Sequence, residues 1–265
     1  MATAAPTPHV LAPRPRSSAG RPRSLLLRTQ ARLFLREPMT LAWALALPLI
    51  ILVAIGLAAG DQHEADLGGL RVIDTYVPTL AVFALGMLAL NALPPSLASD
   101  RERGVLRRLG TTPVRPVRLL VAQLVIHGVV GLVSLCSVVI VGRIAFGVRL
   151  PDPFLGFVLI LVLTGATLLS IGVLLTAIAP TVRAANALGA MTFFPMMFFG
   201  GLWIPRATMS DGLRHVSDAT PVGAAVGALQ DVTTGGSWPS LGALAVIAAW
   251  GVGAAVLATR RFRWQ

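Results

Sequence analysis

The sequence predicts an all-α polytopic membrane protein with six transmembrane helices, and three observations carry that expectation: a charge-poor composition, six long uncharged blocks, and an uneven placement of arginine between them. Of 265 residues, 55% are hydrophobic and only 12% charged, whereas a water-soluble domain carries charge on roughly a quarter of its residues. Residues 40–59, 77–97, 119–141, 154–179, 184–202 and 241–258 contain no Asp, Glu or Arg. About 20 helical residues rising roughly 1.5 Å each cross the roughly 30 Å hydrocarbon layer, and a helix satisfies its own backbone where no water can. All 22 basic residues are arginine, for a net charge of +11. Sorted by the segments between the blocks, 17 arginines and three acids (Glu37, Asp100, Glu102) fall on one side. Five arginines (Arg71, Arg143, Arg149, Arg206, Arg214) and eight acids fall on the other. The positive-inside rule then predicts that both termini are cytoplasmic. Arginine clustered on one exposed face would point to nucleic acid; here long apolar blocks separate the arginines, and no nucleic-acid partner is expected.

Taken in order, residues 1–23 hold Pro6, Pro8, Pro13, Pro15 and Pro22 among Ala, Ser and Arg without apolar periodicity, which predicts a disordered cytoplasmic tail. Residues 24–37 place Arg28, Arg32 and Arg36 on one helical stripe with Leu26, Leu27, Leu33 and Phe34 opposite. Such an amphipathic helix lies at the interface, each arginine gaining ~1 kcal/mol from anionic headgroups, and Pro38 ends it before the first span. The six-span domain is 38–265. The first block exceeds the ~7 to 15 residues of a signal-peptide core, so it is expected to remain as a helix. No fixed-period repeat is visible.

Residues 99–118, between the second and third blocks, interleave acids and arginines in a helix-like stretch that ends at Gly110 before Thr111, Thr112 and Pro113. A loop needed only for topology does not require that organisation. Its DRERGVLRRLGTTPVRPVRLL resembles the segment between helices two and three of ABC-2 type transporter permeases, with an acidic-Arg-Glu-x-Gly stretch, an arginine pair and Thr-Pro-Val. RLFLREPMTLAWALALPLIILVAIGLAAG is similar to the opening of that family, and FFPMMFFGGLWIP resembles its fifth helix. Within the family the likeness is to daunorubicin-resistance-type permeases of actinobacteria.

The resemblance implies an ABC-2, type V exporter-like fold. It implies a multi-pass permease of the bacterial plasma membrane that pairs with a second permease, identical or homologous, and with two copies of a separate ATPase. ATP and Mg would be bound by that partner, and this chain would hold no cofactor of its own. By position, Arg28, Arg32 and Arg36 together with Asp100, Arg101, Glu102, Arg103, Gly104, Arg107 and Arg108 would form the surface that rests on the ATPase. Asp100 stands where glutamate is commoner and Val105 replaces a frequent threonine. Two short external or re-entrant helices are implied between 205 and 239.

The residues themselves agree with a transport subunit and exclude several alternatives. Without lysine there is no P-loop lysine and no Schiff-base amine. The single cysteine, Cys136, excludes an internal disulfide and a cysteine-cluster metal site. The polar residues of the spans, Asn91, Gln123, His127, Ser134, Thr164, Thr167, Ser170, Thr176, Asn186 and Thr192, form no catalytic constellation. His9, His63, His127 and His215 lack metal-ligand spacing. An ion-coupled carrier or channel would need titratable groups at mid-membrane, of which the spans offer only His127. Around Pro195, the residues Phe193, Phe194, Met196, Met197, Phe198 and Phe199 make a soft, polarizable surface. They either line the path of a hydrophobic substrate or pack an ordinary helix interface. Export of a hydrophobic compound, drug or antibiotic, is the expected function, with lipid or lipid-linked glycan as the alternative cargo and an ion-coupled carrier or channel as the alternative of another class.

Overall fold

The computed structural model describes residues 38–59, 62–63, 70–104, 117–148 and 151–261. The tail 1–23, the interfacial helix expected over 24–37 with Arg28, Arg32 and Arg36, and Arg107 and Arg108 of the loop lie outside the described residues. Helix α1 is Pro38–Ala59. Helix α2, Val72–Gly86, continues through a π-helical segment, Met87–Ala92, into α3, Leu93–Glu102. Next come α4, Val117–Phe146, α5, Phe154–Ile178, α6, Val182–Phe199, and a 3-10 turn, Arg206–Thr208. Two short helices, α7, Asp211–Ala219, and α8, Pro221–Gly235, precede α9, Leu241–Arg261.

Five of these stretches are long and apolar enough to cross a membrane: α1, the continuous run of α2 through α3, α4, α5 and α9. The fifth block behaves differently. Its lack of charge predicts a span at 184–202, but α6 has 18 residues, starts two residues earlier so that Arg183 joins its first turn, and stops at Phe199. There Gly200 and Gly201 turn the chain, Gly201 with a φ of 84° that a side chain disfavours. Pro38 opens α1, since a first-turn residue needs no amide donor. The second block extends at both ends, to Val72 and Glu102, because Asp74 and the charged residues after Ser99 lie at helix ends rather than within the apolar layer. The two short helices expected before the last span are α7 and α8.

The second span is the central column of the bundle. Its most apolar window is 72% buried, against 17% for α1 and for α9, so those two leave most of their surface uncovered by the chain while α2 and α3 meet protein on nearly all sides. α1 and α4 flank α2, α5 runs along α9, α6 lies on α3 and the π segment, and α8 wedges among α2, α5, α6 and α9. Since apolar side chains gain little from leaving lipid tails, the helices are joined by close approach and by hydrogen bonds. Ser134 donates to the Ala44 carbonyl at 3.0 Å, tying α4 to α1, and Thr167 donates to the Ile247 carbonyl at 2.9 Å, tying α5 to α9.

The π segment arises from two prolines. Pro94 and Pro95 have no N–H, and each ring would collide with the carbonyl of a regular preceding turn. One extra residue per turn moves those carbonyls aside, and Leu93 donates to Leu88, five residues back. In that register the carbonyls of Ala89 and Leu90 lose the donors that Pro94 and Pro95 cannot supply. They are covered by two glycines. Gly172 of α5 lies against the Ala89 carbonyl oxygen and Gly189 of α6 against that of Leu90, each so closely that a Cβ would overlap the oxygen. A single methyl there forces two helices apart, which costs about 1–3 kcal/mol. Gly172→Ala and Gly189→Ala should therefore lower the midpoint of thermal unfolding in detergent. Gly253→Ala, on α9 with nothing within 4 Å, should leave it unchanged or raise it. Equal melting of all three would disprove the close-packing account.

Candidate functional site

The second span delivers a charged cluster to its Glu102 end, where α3 stops and Gly104, at a φ of 68°, carries the backbone out of the helix. Three of the cluster's side chains turn inward onto the chain's own helices. Arg101 donates to the Thr176 carbonyl at 3.4 Å and to that of Ala179, so a cation sits at the C-terminus of α5, where the last carbonyls lack helical donors and the helix dipole is negative. Glu102 accepts the N–H of Val182 at 2.8 Å, placing an anion at the N-terminus of α6. Thr181 completes that cap, its hydroxyl accepting the N–H of Ala184 at 3.1 Å. Two neighbours of opposite charge thus hold both sides of the Ala179-Pro180-Thr181 connection. Asp100 accepts from the buried Gln123 amide of α4 at 3.1 Å, and His127, one turn further along α4, contacts the Gln123 carbonyl at 2.9 Å.

Asp100, Arg101 and Glu102 accordingly fasten α3 to α4, α5 and α6. Glu102 and Arg103 are both exposed, and of the two only Glu102 is bonded to another helix in the contacts above. Of the other halves of these contacts, Thr176 reads in the sequence only as a polar residue of its span, and Ala179, Thr181 and Val182 go unmarked. A threonine followed by a helix-compatible run after Pro180 is an N-cap signal and marks the start of α6, but nothing in one sequence pairs it with Glu102.

The methionine and phenylalanine run of α6 does not form one wall. Phe193 and Met197 are 4% and 1% exposed. They close over Gly86 of α2, and Phe193 meets the Phe83 ring at 5.5 Å between centroids. Phe194 is 57% exposed and leans toward Trp203, their rings 6.1 Å apart. Met196, Phe198 and Phe199 are half-buried. The helical period separates the six because residues one apart point roughly 100° from each other. The outward stripe is Arg183, Asn186, Ala187, Met191 and Phe194.

Beyond α6, Arg206 is buried, and its guanidinium donates to the Ser217 hydroxyl and to the Asp218 carboxylate. Ser217 passes the connection to the Phe199 carbonyl at 2.6 Å, and Thr220 caps α8 through the Gly223 N–H at 3.0 Å. A charge buried away from water is retained only when paired and hydrogen-bonded. This network therefore fixes α7 and α8 against the end of α6.

A bundle of apolar helices around a central span widened at two prolines, a charged cluster at the end of that span and two short helices before the last one describe a multi-span membrane protein. The chain belongs to the ABC-2 type transporter family, whose pattern matches residues 24–233. Among its relatives is a daunorubicin resistance ABC transporter permease protein of Streptomyces coeruleorubidus, 26% identical over 214 residues that cover 77% of this chain and 73% of the relative.

The capping geometry can be tested on this chain alone. Glu102→Ala removes an acceptor from the first turn of α6, worth about 1 kcal/mol. Hydrogen exchange at the Val182 amide should speed up about fivefold, while Arg103→Ala leaves it unchanged. The same exchange in both variants would show that the carboxylate does not hold the connection.

Proposed function

We propose that this chain is the permease of an ATP-driven exporter that moves a hydrophobic compound, a drug or antibiotic, outward across the bacterial cell membrane. In this reading α6 is the fifth of six spans, both termini are cytoplasmic, and two permeases assemble with two copies of a separate ATPase that binds ATP and Mg. The single observation that carries the reading is the family membership over 24–233 together with a relative named for daunorubicin resistance. The chemistry of the spans supports it. A path specialised for a highly charged cargo would require a buried counter-ion, and the five apolar stretches offer none at mid-span.

The ATPase rests on the interfacial helix bearing Arg28, Arg32 and Arg36 and on the loop that begins at Arg103 and Gly104 and continues through Arg107 and Arg108. Arg101 and Glu102 give the loop its mechanical reach, because a push on it is felt at α5 and α6 through their capping bonds. The outward stripe of α6, with the polar Asn186 beside Met191 and Phe194, supports a second permease at that face, since an amide left in lipid is costly.

Two measurements test this reading. Cysteines at Gly68, Asp152 and Asp218 should react with an impermeant thiol reagent added outside cells, and cysteines at Gly104 and Thr181 should not; reversed labelling overturns the topology. Co-expressed with its ATPase, the chain should confer ATP-dependent efflux of hydrophobic compounds. Reversing Arg107 and Arg108 to glutamate should leave the permease inserted and abolish efflux, and normal efflux from that variant would remove the coupling assignment. At matched protein level, Phe194→Ala should change which compounds are exported. Met197→Ala should weaken export of all of them alike through lost packing, worth up to a few kcal/mol.

A further inference from the structure

Three cavities line up along one side of α5. The first, about 490 Å³, lies at the end of the bundle that holds Arg71 and Arg143 and is lined by polar groups that include His63, Asp74 and Thr233. The second, about 560 Å³, is a groove between α4 and α5 lined almost wholly by apolar side chains and by Gly128, Gly131 and Gly165. It shares Val139 and Phe157 with the first. The third, about 500 Å³, continues toward Thr259 of α9 and shares Ala166 and Leu169 with the second. From Phe154 to Val173 this track follows α5 for about 29 Å at 1.5 Å per residue, the thickness of the hydrocarbon layer.

The track is amphiphilic. Among the described residues that line it, the polar end holds two arginines, Arg71 and Arg143, against one acid, Asp74. Arg71 is neutralised by Asp74 through two bonds of 2.9 and 3.0 Å. Arg143 is exposed, donates to the Val148 carbonyl at 3.1 Å, and has no acidic partner among the described residues. The apolar part lies open along its length, where Leu132, Val158 and Val162 are exposed on its rims. Its floor is deep because glycines stand where side chains would fill it. A Cβ at Gly165 would meet only Leu85 methyls at 3.9 Å, and one at Gly128 a Leu169 methyl at 4.0 Å. Both surfaces belong to membrane spans, so the groove fills from the bilayer itself.

We propose that the α4–α5 groove is a binding site for an anionic phospholipid, its acyl chain laid against Gly128, Gly131 and Gly165 and its phosphate held by Arg143. The site is separate from the α6 stripe and takes a resident lipid rather than the exported compound. It rests on the membrane placement of α4 and α5 and on no feature of transport.

The full chain, purified and reconstituted in phosphatidylcholine vesicles, tests the site without ATP or the ATPase. A trace of phosphatidylglycerol or phosphatidylcholine with a photoreactive acyl chain is the probe, and cross-linked peptides are counted. Phosphatidylglycerol should label the peptides lining the groove about fivefold more than phosphatidylcholine, the advantage one arginine gives an anionic headgroup. Arg143→Gln should equalise the two probes. Gly165→Leu should fill the groove and lower labelling there several-fold, while Gly253→Leu, on an open face of α9, should not. Equal labelling by both probes in the unmodified chain, or equal labelling of the Gly165 and Gly253 variants, would mean ordinary surrounding lipid and would overturn the site. Either result leaves the transport reading to its own tests.

Discussion

The fold turns on the pair of carbonyls, Ala89 and Leu90, left without helical donors by Pro94 and Pro95 and covered by Gly172 and Gly189. Three helical columns meet at this point, and none could approach so closely with a Cβ between them. In a soluble protein, burial of apolar area at roughly 25 cal/mol per Å² would hold such helices together. In lipid that gain largely vanishes, and contact distance takes its place. The π segment therefore does two things at once: it relieves the prolines, and it presents a flat stretch of backbone on which α5 and α6 rest. The position of α6 then sets the orientation of Phe193 and Met197 toward Gly86, and through Arg206, Ser217 and Phe199 the seating of α7 and α8.

The charged cluster extends the same economy of contacts to the end of the span. Arg101 and Glu102 occupy consecutive positions yet serve opposite helix ends, because α5 finishes and α6 begins within a few residues of each other. One side chain matches the negative end of a dipole and the other the positive end of the next. A loop that looks from its sequence like an exterior surface is thus partly an internal fastening: Glu102 and Arg103 are both exposed, but Glu102 still bonds the start of α6.

Much of this was legible in the sequence. Uncharged blocks located α1, α4, α5 and α9 to within a few residues, since nothing but a run without charge lies comfortably in a bilayer. The short helices before the last span and the chemical interest of residues 100–104 were also readable. The π segment was not. Two adjacent prolines announce a disturbed helix, but whether the turn widens, kinks or ends depends on what lies opposite, and Gly172 and Gly189 are more than 75 positions away in the chain. For the same reason the run Phe193–Phe199 reads as a single apolar wall until the packing of α6 decides which residues face Phe83 and which face Trp203. The fifth block shows the limit of block counting: Arg183 joins the helix and Leu202 leaves it, so a stretch without charge and a helix are not the same object.

A column gripped near its middle is a lever with a fulcrum. From the clamped carbonyls to Val72 is about 26 Å of helix, and to Glu102 about 19 Å, at 1.5 Å per residue. A rigid rod gripped at that point turns a small sideways step at one end into a reversed step about 1.4 times as large at the other. The far end bears Arg71 and Thr75, the latter hydrogen-bonded to Gln230 of α8 at 3.4 Å. The two prolines thus fix where along the second span the grip falls, and with it the ratio of the two arms.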